Sequence, residues 1–194
     1  MNTLLLGDSL FARHEGENEP HINSSLKQLL PAIDILNLAH SGDNSYDLLA
    51  KLDCHDLSGH DVVFVWIGAN DLAIHKQVFL GEFQENLNQI SQKLLKLYDK
   101  EQLVFLGLTP IDENKQDYRT NRLVTYYSQV VEKAAKASGS AFISMQETFE
   151  QSDYPLEFVL KGRLNDGLHF GSVGYALLAN TICDYLSIIK KADA

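Results

Sequence analysis

Five short, mainly apolar runs, separated by longer stretches with a three-to-four-residue apolar repeat, do most to limit what this chain can become. The runs lie at residues 4–6, 33–38, 62–67, 104–108 and 141–143. They show no polar alternation, so each reads as a strand covered by helices on both faces. Between them, Phe83, Leu87, Ile90, Leu94 and Leu97 fall on one face of a helix, as do Leu123, Tyr127, Val130, Ala134 and Ala137. Gly139 follows the second set as a left-handed stop. Leu178, Ile182, Leu186 and Ile189 define a C-terminal helix, and Asn23 is a candidate cap for a short one ended by Pro31. Strands alternating with helices predict an α/β fold, a three-layer α/β/α sandwich on a five-stranded parallel sheet. With 45% hydrophobic and 22% charged residues, residues 1–194 read as one domain with its own core. The polar stretch 112–120 reads as a surface loop.

A net charge of -10 argues against binding nucleic acid through its phosphates. Cys54 and Cys183 lie far apart without a CxxC, and read as two reduced, partly buried thiols. The opening MNTLLLGDSLF has only a short apolar run, no basic region before it, and Asp8 directly after it. It is not expected to act as a signal peptide. No membrane span is expected either, and the cytoplasm is the expected location.

In open parallel sheets, ligands sit beyond the carboxyl ends of the strands, so the residues just after each apolar run carry the chemistry. These are Gly7-Asp8-Ser9-Leu10, the Asn37 to Ser45 segment containing Ser41-Gly42-Asp43, and Gly68-Ala69-Asn70-Asp71. Asn165-Asp166-Gly167-Leu168-His169 precedes the last helix. Acyl transfer to a hydroxyl needs a nucleophile, a base, a group to orient that base, and donors for an oxyanion. Ser9 is the candidate nucleophile, at a strand-to-helix turn where backbone N–H groups are free. His169 is the candidate base, and Asp166, three positions upstream, can turn its carboxylate to the ring. Gly42 lets a backbone N–H approach closely, and Asn70 can offer a side-chain N–H. Each residue alone has a plainer reading: Ser9 a helix cap, Asn70 and Asp166 turn residues, Gly42 a positive-φ position. Asp8 and Asp71 read as braces behind the site. His40 is a candidate wall of the pocket, Trp66 is core, and Phe158 and Phe170 are either core or substrate contacts. The remaining histidines show no metal-binding spacing, so no metal is expected.

Taken together, GDSL at 7–10, SGD at 41–43, GAND at 68–71 and DGLH at 166–169 resemble the SGNH/GDSL hydrolases, in that family's order, over residues 2 to about 188. The resemblance implies a flavodoxin-like sandwich and a serine ester hydrolase that uses no cofactor. It makes Ser9, Asp166 and His169 the catalytic set, with Ser9, Gly42 and Asn70 as the oxyanion hole and a small-molecule ester as substrate. The chain departs from the family's habit at Phe170, where proline is frequent, and at Tyr175, where a second histidine is. It departs again at Ala39, where glycine is frequent, with His40 just before Ser41. These changes imply an altered pocket wall with the reaction type intact.

With no insertion long enough to form a lid, the expected substrate carries a short acyl group, acetyl above all, on a sugar or small alcohol. A thioesterase or lysophospholipase activity, or a non-catalytic module binding an acylated carbohydrate, are the alternatives. A nucleotide-binding flavodoxin-like protein is disfavoured, because GDSLFAR is too poor in glycine to cradle phosphates.

Overall fold

A computed structural model describes residues 1–192. Strands β1 (Asn2–Gly7), β2 (Asp34–Asn37), β3 (Val62–Trp66), β4 (Leu103–Leu106) and β5 (Ala141–Ile143) form one sheet in the order β2-β1-β3-β4-β5, every pair parallel. All five apolar runs are therefore strands. β3 and β4 are buried at every residue, whereas β2 and β5 at the edges are only partly covered. The expectation of full cover fails at those two strands because an edge strand lacks a neighbour on one side.

The helices are α1 (Ser9–Ala12), α2 (His21–Leu29), α3 (Ser45–Lys51), α4 (Leu80–Leu94), α5 (Asn121–Ser138), α6 (Met145–Glu150), α7 (Leu156–Val159) and α8 (Ser172–Ala192). The chain steps one way from β1 to β2 and the other way from β2 through β5. Right-handed crossovers then put α2 on one face and α3, α4 and α5 on the other. The contacts agree: α2 packs on α8, and α4 on α5 and α3. The reversal of direction occurs beside β1, which opens a crevice at its carboxyl end.

Phe83, Leu87, Ile90 and Leu94 are wholly buried along α4, but Leu97 lies beyond the helix end and is exposed. Thr120 caps α5 by accepting the Leu123 N–H, and Gly139 ends it at φ 74°. Asn23 does not cap α2. Pro20 occupies that position, and Asn23 lies one turn in, buried, where its Oδ1 accepts the Asn37 amide N–H at 2.9 Å. A proline with its φ preset can begin a helix without a side-chain cap, and this frees Asn23 to tie α2 to the end of β2. Cys54 and Cys183 are free thiols; Cys54 is exposed rather than partly buried, because it sits in the short turn after α3.

Residues 172–189 of α8 are long and apolar enough to cross a membrane by length and composition alone. Their apolar character serves packing: Tyr175, Leu178, Ala179, Ile182 and Leu186 form a buried stripe facing the protein core.

Candidate active site

Asp8 supplies the sharp turn that ends β1. Its Oδ1 accepts the Leu10 N–H at 2.9 Å and caps α1, leaving Ser9 as the first helical residue. Ser9 is only 6% exposed. The N–H groups of a first helical turn have no intrahelical partner, so the Ser9 N–H is available to an incoming oxygen.

The base is held by a local device. Asp166 Oδ1 accepts the backbone N–H groups of Leu168 (3.1 Å) and His169 (2.9 Å), folding the segment into a tight loop. Gly167 makes that loop possible: its φ is +76°, and a Cβ there would lie 2.8 Å from Cβ of Asp112. The other carboxylate oxygen, Oδ2, then lies 2.7 Å from His169 Nδ1. An ionised carboxylate only accepts, so Nδ1 carries the hydrogen and donates it. This leaves the Nε2 lone pair to accept the Ser9 hydroxyl, 2.8 Å away. Burial pushes the Asp166 carboxyl up, but hydrogen bonds from the His169 ring and backbone, electrostatic attraction to that ring and the Leu168 N–H outweigh it. They hold Asp166 well below the usual carboxylate range.

The other two loops are tied to this pair. The His40 N–H donates to Gly7 O at 3.0 Å, fastening the second loop to the end of β1. Gly42 adopts φ +88°, a conformation that favours glycine, with open space where a side chain would stand. Asn70 Nδ2 donates to Asp43 O at 2.9 Å. One of its two N–H bonds is spent on fixing the amide, and the second remains for another acceptor. Below, Asp71 accepts the Ser45 N–H with both oxygens (3.0 and 3.1 Å). Asp8 and Asp71 are both buried, and burial is the main cause that raises their pKa values, to about 7 and about 6.

Two expected substrate contacts fare differently. His40 is 68% exposed at its side chain, with Nδ1 3.2 Å from Asp43 Oδ1 at the rim. Phe170 is not a pocket wall: it is 1% exposed and packs against Trp66, Phe149 and Tyr175 at centroid distances of 6.1, 5.2 and 4.6 Å. The two departures at positions 170 and 175 therefore pack against each other in one buried aromatic cluster. Phe158 is half exposed and stacks with Tyr154.

Residues 112–120 do more than cover surface. Gln116 donates to Asp166 O (2.7 Å), Arg119 donates to Ala69 O (3.0 Å), and the Asp112 N–H donates to Gly167 O (2.8 Å). The sequence signal was faint: an arginine directly before a helix cap, in a polar stretch of mixed charge.

Fold and site together define a doubly wound α/β protein with a hydrogen-bonded Ser–His–Asp triad at the switch point of its sheet. The model of the GDSL-like lipase/acylhydrolase family matches residues 5–177, and the chain belongs to that family. It is 27% identical to an isoamyl acetate-hydrolyzing esterase of Saccharomyces cerevisiae, over 90% of this chain and 81% of the yeast protein. It is 28% identical to the GDSL esterase/lipase CPRD49 of Arabidopsis thaliana over 68% of this chain, a match spanning only 55% of the plant protein. Among solved structures, a lipase/acylhydrolase from Enterococcus faecalis superposes with a TM-score of 0.80 at 23% identity, covering 93% of this chain and 92% of that one. The acetylxylan esterase Axe2 of Geobacillus stearothermophilus gives 0.74 at 22% identity, covering 95% and 93%. At such identities the two structures speak for the shared fold.

Proposed function

We propose that this protein hydrolyses carboxylic esters with short acyl groups, acetyl foremost, borne on a sugar or small alcohol. The observation that carries the reading is the unbroken relay from Ser9 Oγ to His169 Nε2 (2.8 Å) and from His169 Nδ1 to Asp166 Oδ2 (2.7 Å). In the first step Ser9 Oγ attacks the ester carbonyl while His169 takes its proton, and Asp166 stabilises the imidazolium that forms. The oxyanion is received by the backbone N–H groups of Ser9 and Gly42 and by the free N–H of Asn70. His169 then protonates the leaving alcohol. Water, activated by the same ring, attacks the acyl group and restores the Ser9 hydroxyl.

Two likenesses favour a short acyl group. The yeast relative is named for an acetate ester and Axe2 for acetylated xylan. His40, exposed at the rim, is placed to meet the alcohol portion.

A series of p-nitrophenyl esters from C2 upward, run beside an acetylated oligosaccharide, tests this reading. The highest kcat/KM is expected at C2 to C4, with acetate released from the saccharide. A maximum beyond about C8, or cleavage of acyl thioesters alone, would point to the lysophospholipase or thioesterase alternative.

A further inference from the structure

We propose that Arg119 is a positioning residue for this site, locking the oxyanion-hole loop to the loop that carries the base; this rests on the hydrolase reading above. The argument begins with its two bonds. Arg119 Nε donates to the carbonyl of Ala69, the residue just before Asn70, at 3.0 Å. Its Nη1 donates to Gln116 Oε1 at 2.7 Å, and the same amide, through Nε2, donates to the carbonyl of Asp166 at 2.7 Å. One planar guanidinium and one amide therefore join the backbone beside the oxyanion donor to the backbone of the residue that orients the base.

Loops that meet only in space need such a joint. Asn70 is otherwise secured through its amide to Asp43, and Asp166 through its own tight turn. Neither bond fixes the gap between the two loops. The brace is anchored twice more on the Asp166 side, by the Asp112 N–H on Gly167 O (2.8 Å) and by Lys115 Nζ on Asn165 Oδ1 (3.0 Å). That leaves Arg119 as the member reaching across to Ala69.

The choice of arginine follows from geometry. Its fork donates in two fixed directions at once, whereas lysine, a point charge on a flexible stem, cannot hold both acceptors in register. Placing a guanidinium here costs desolvation, and the charges of Asp166 and Asp8 offset only part of that cost. A surface arginine serving only solubility would have no need of such a half-buried position.

Misplacing reacting groups by about 1 Å can cost about a hundredfold in rate. Arg119→Met should therefore lower kcat by about tenfold to a hundredfold on p-nitrophenyl acetate, with KM changed by less than about threefold. Arg119→Lys, which keeps the charge, should recover little of the loss. Gln116→Ala, which removes the link to Asp166 and the acceptor of Arg119 Nη1 but leaves Arg119 on Ala69, should show a smaller fall of the same kind. The decisive readout is a double-mutant cycle with Asn70→Ala. Once the oxyanion donor is gone, losing its brace should matter much less, so the two losses in kcat should fall well short of multiplying.

Wild-type kcat in both Arg119→Met and Arg119→Lys would overturn the proposal. So would a full multiplicative loss in the Asn70→Ala background, or a fall in Tm with unchanged turnover per folded molecule. Should Arg119→Met fail to fold, Arg119→Lys and Gln116→Ala decide the matter by the same criteria. An inactive wild-type protein would instead refute the hydrolase reading, and that outcome is read before any variant is compared.

Discussion

Replacing Asp8 by asparagine isolates the cost of keeping a carboxylate beneath the nucleophile. The side chain is 1% exposed, and burial is the main cause lifting its pKa from the ordinary 3.8 to about 7. The N–H groups of Leu10 and Ala69 pull it down, while the charges of Asp71 and Asp43 push it up. The folded protein thus holds this proton more tightly than the unfolded chain does. The contribution is fully present below about pH 4, fades as the pH rises to about 7, and is gone above that. A rise from 3.8 to about 7, at about 1.4 kcal/mol for each pH unit, corresponds to about 4 kcal/mol. Asparagine keeps an acceptor for the Leu10 N–H but cannot titrate. Loss of the second acceptor weakens the fold by a similar amount at every pH and leaves the slope alone. Urea unfolding of wild type and Asp8→Asn between about pH 4 and pH 8 measures the difference. The gap between the two should move by about 4 kcal/mol in the variant's favour across that range. Asp71, raised to about 6, leaves the variant a residual fall between about pH 4 and pH 6. Parallel stability curves for the two proteins would refute the reasoning.

Three further outcomes are expected. Asn70→Ala should lower kcat on p-nitrophenyl acetate by about a hundredfold, the loss of about 3 kcal/mol typical of one oxyanion donor, with KM little changed. Asp166→Asn should lower kcat by about a thousandfold to ten-thousandfold, because an amide can hold the His169 ring in the wrong tautomer; steady-state kinetics on the purified variant would check it. Phe170→Ala should destabilise the fold by about 3 to 5 kcal/mol in urea unfolding, since it empties the centre of an aromatic cluster rather than opening a pocket.

The sheet was legible because a strand buried on both faces cannot hide its composition, as Val62–Trp66 and Leu103–Leu106 illustrate. Ser9 was legible for a related reason, since residues that follow such strands gather at one edge. Asp166 and His169 follow no strand directly; the DGLH block before α8 marked them, and Gly167 supplies the turn that lets Asp166 reach the ring. What escaped was decided by neighbours distant in sequence. Phe170 looks the same whether it faces substrate or Trp66, Phe149 and Tyr175, and only packing chooses. Asn23 gives up the capping role its residue type favours because a bond to Asn37 holds it inside α2. Arg119 belongs to a polar stretch with no periodicity, so its reach to Ala69 appears only once the segment after β3 and the segment before α5 meet in the fold.

Covalent labelling with a fluorophosphonate tests the catalytic assignment at its root. Intact mass and peptide mapping should show one adduct per chain, on Ser9, matched by loss of esterase activity. The adduct should vanish in Ser9→Ala and form far more slowly in His169→Ala. An adduct on another residue, or ester hydrolysis that persists in Ser9→Ala, would contradict the relay on which the mechanism stands.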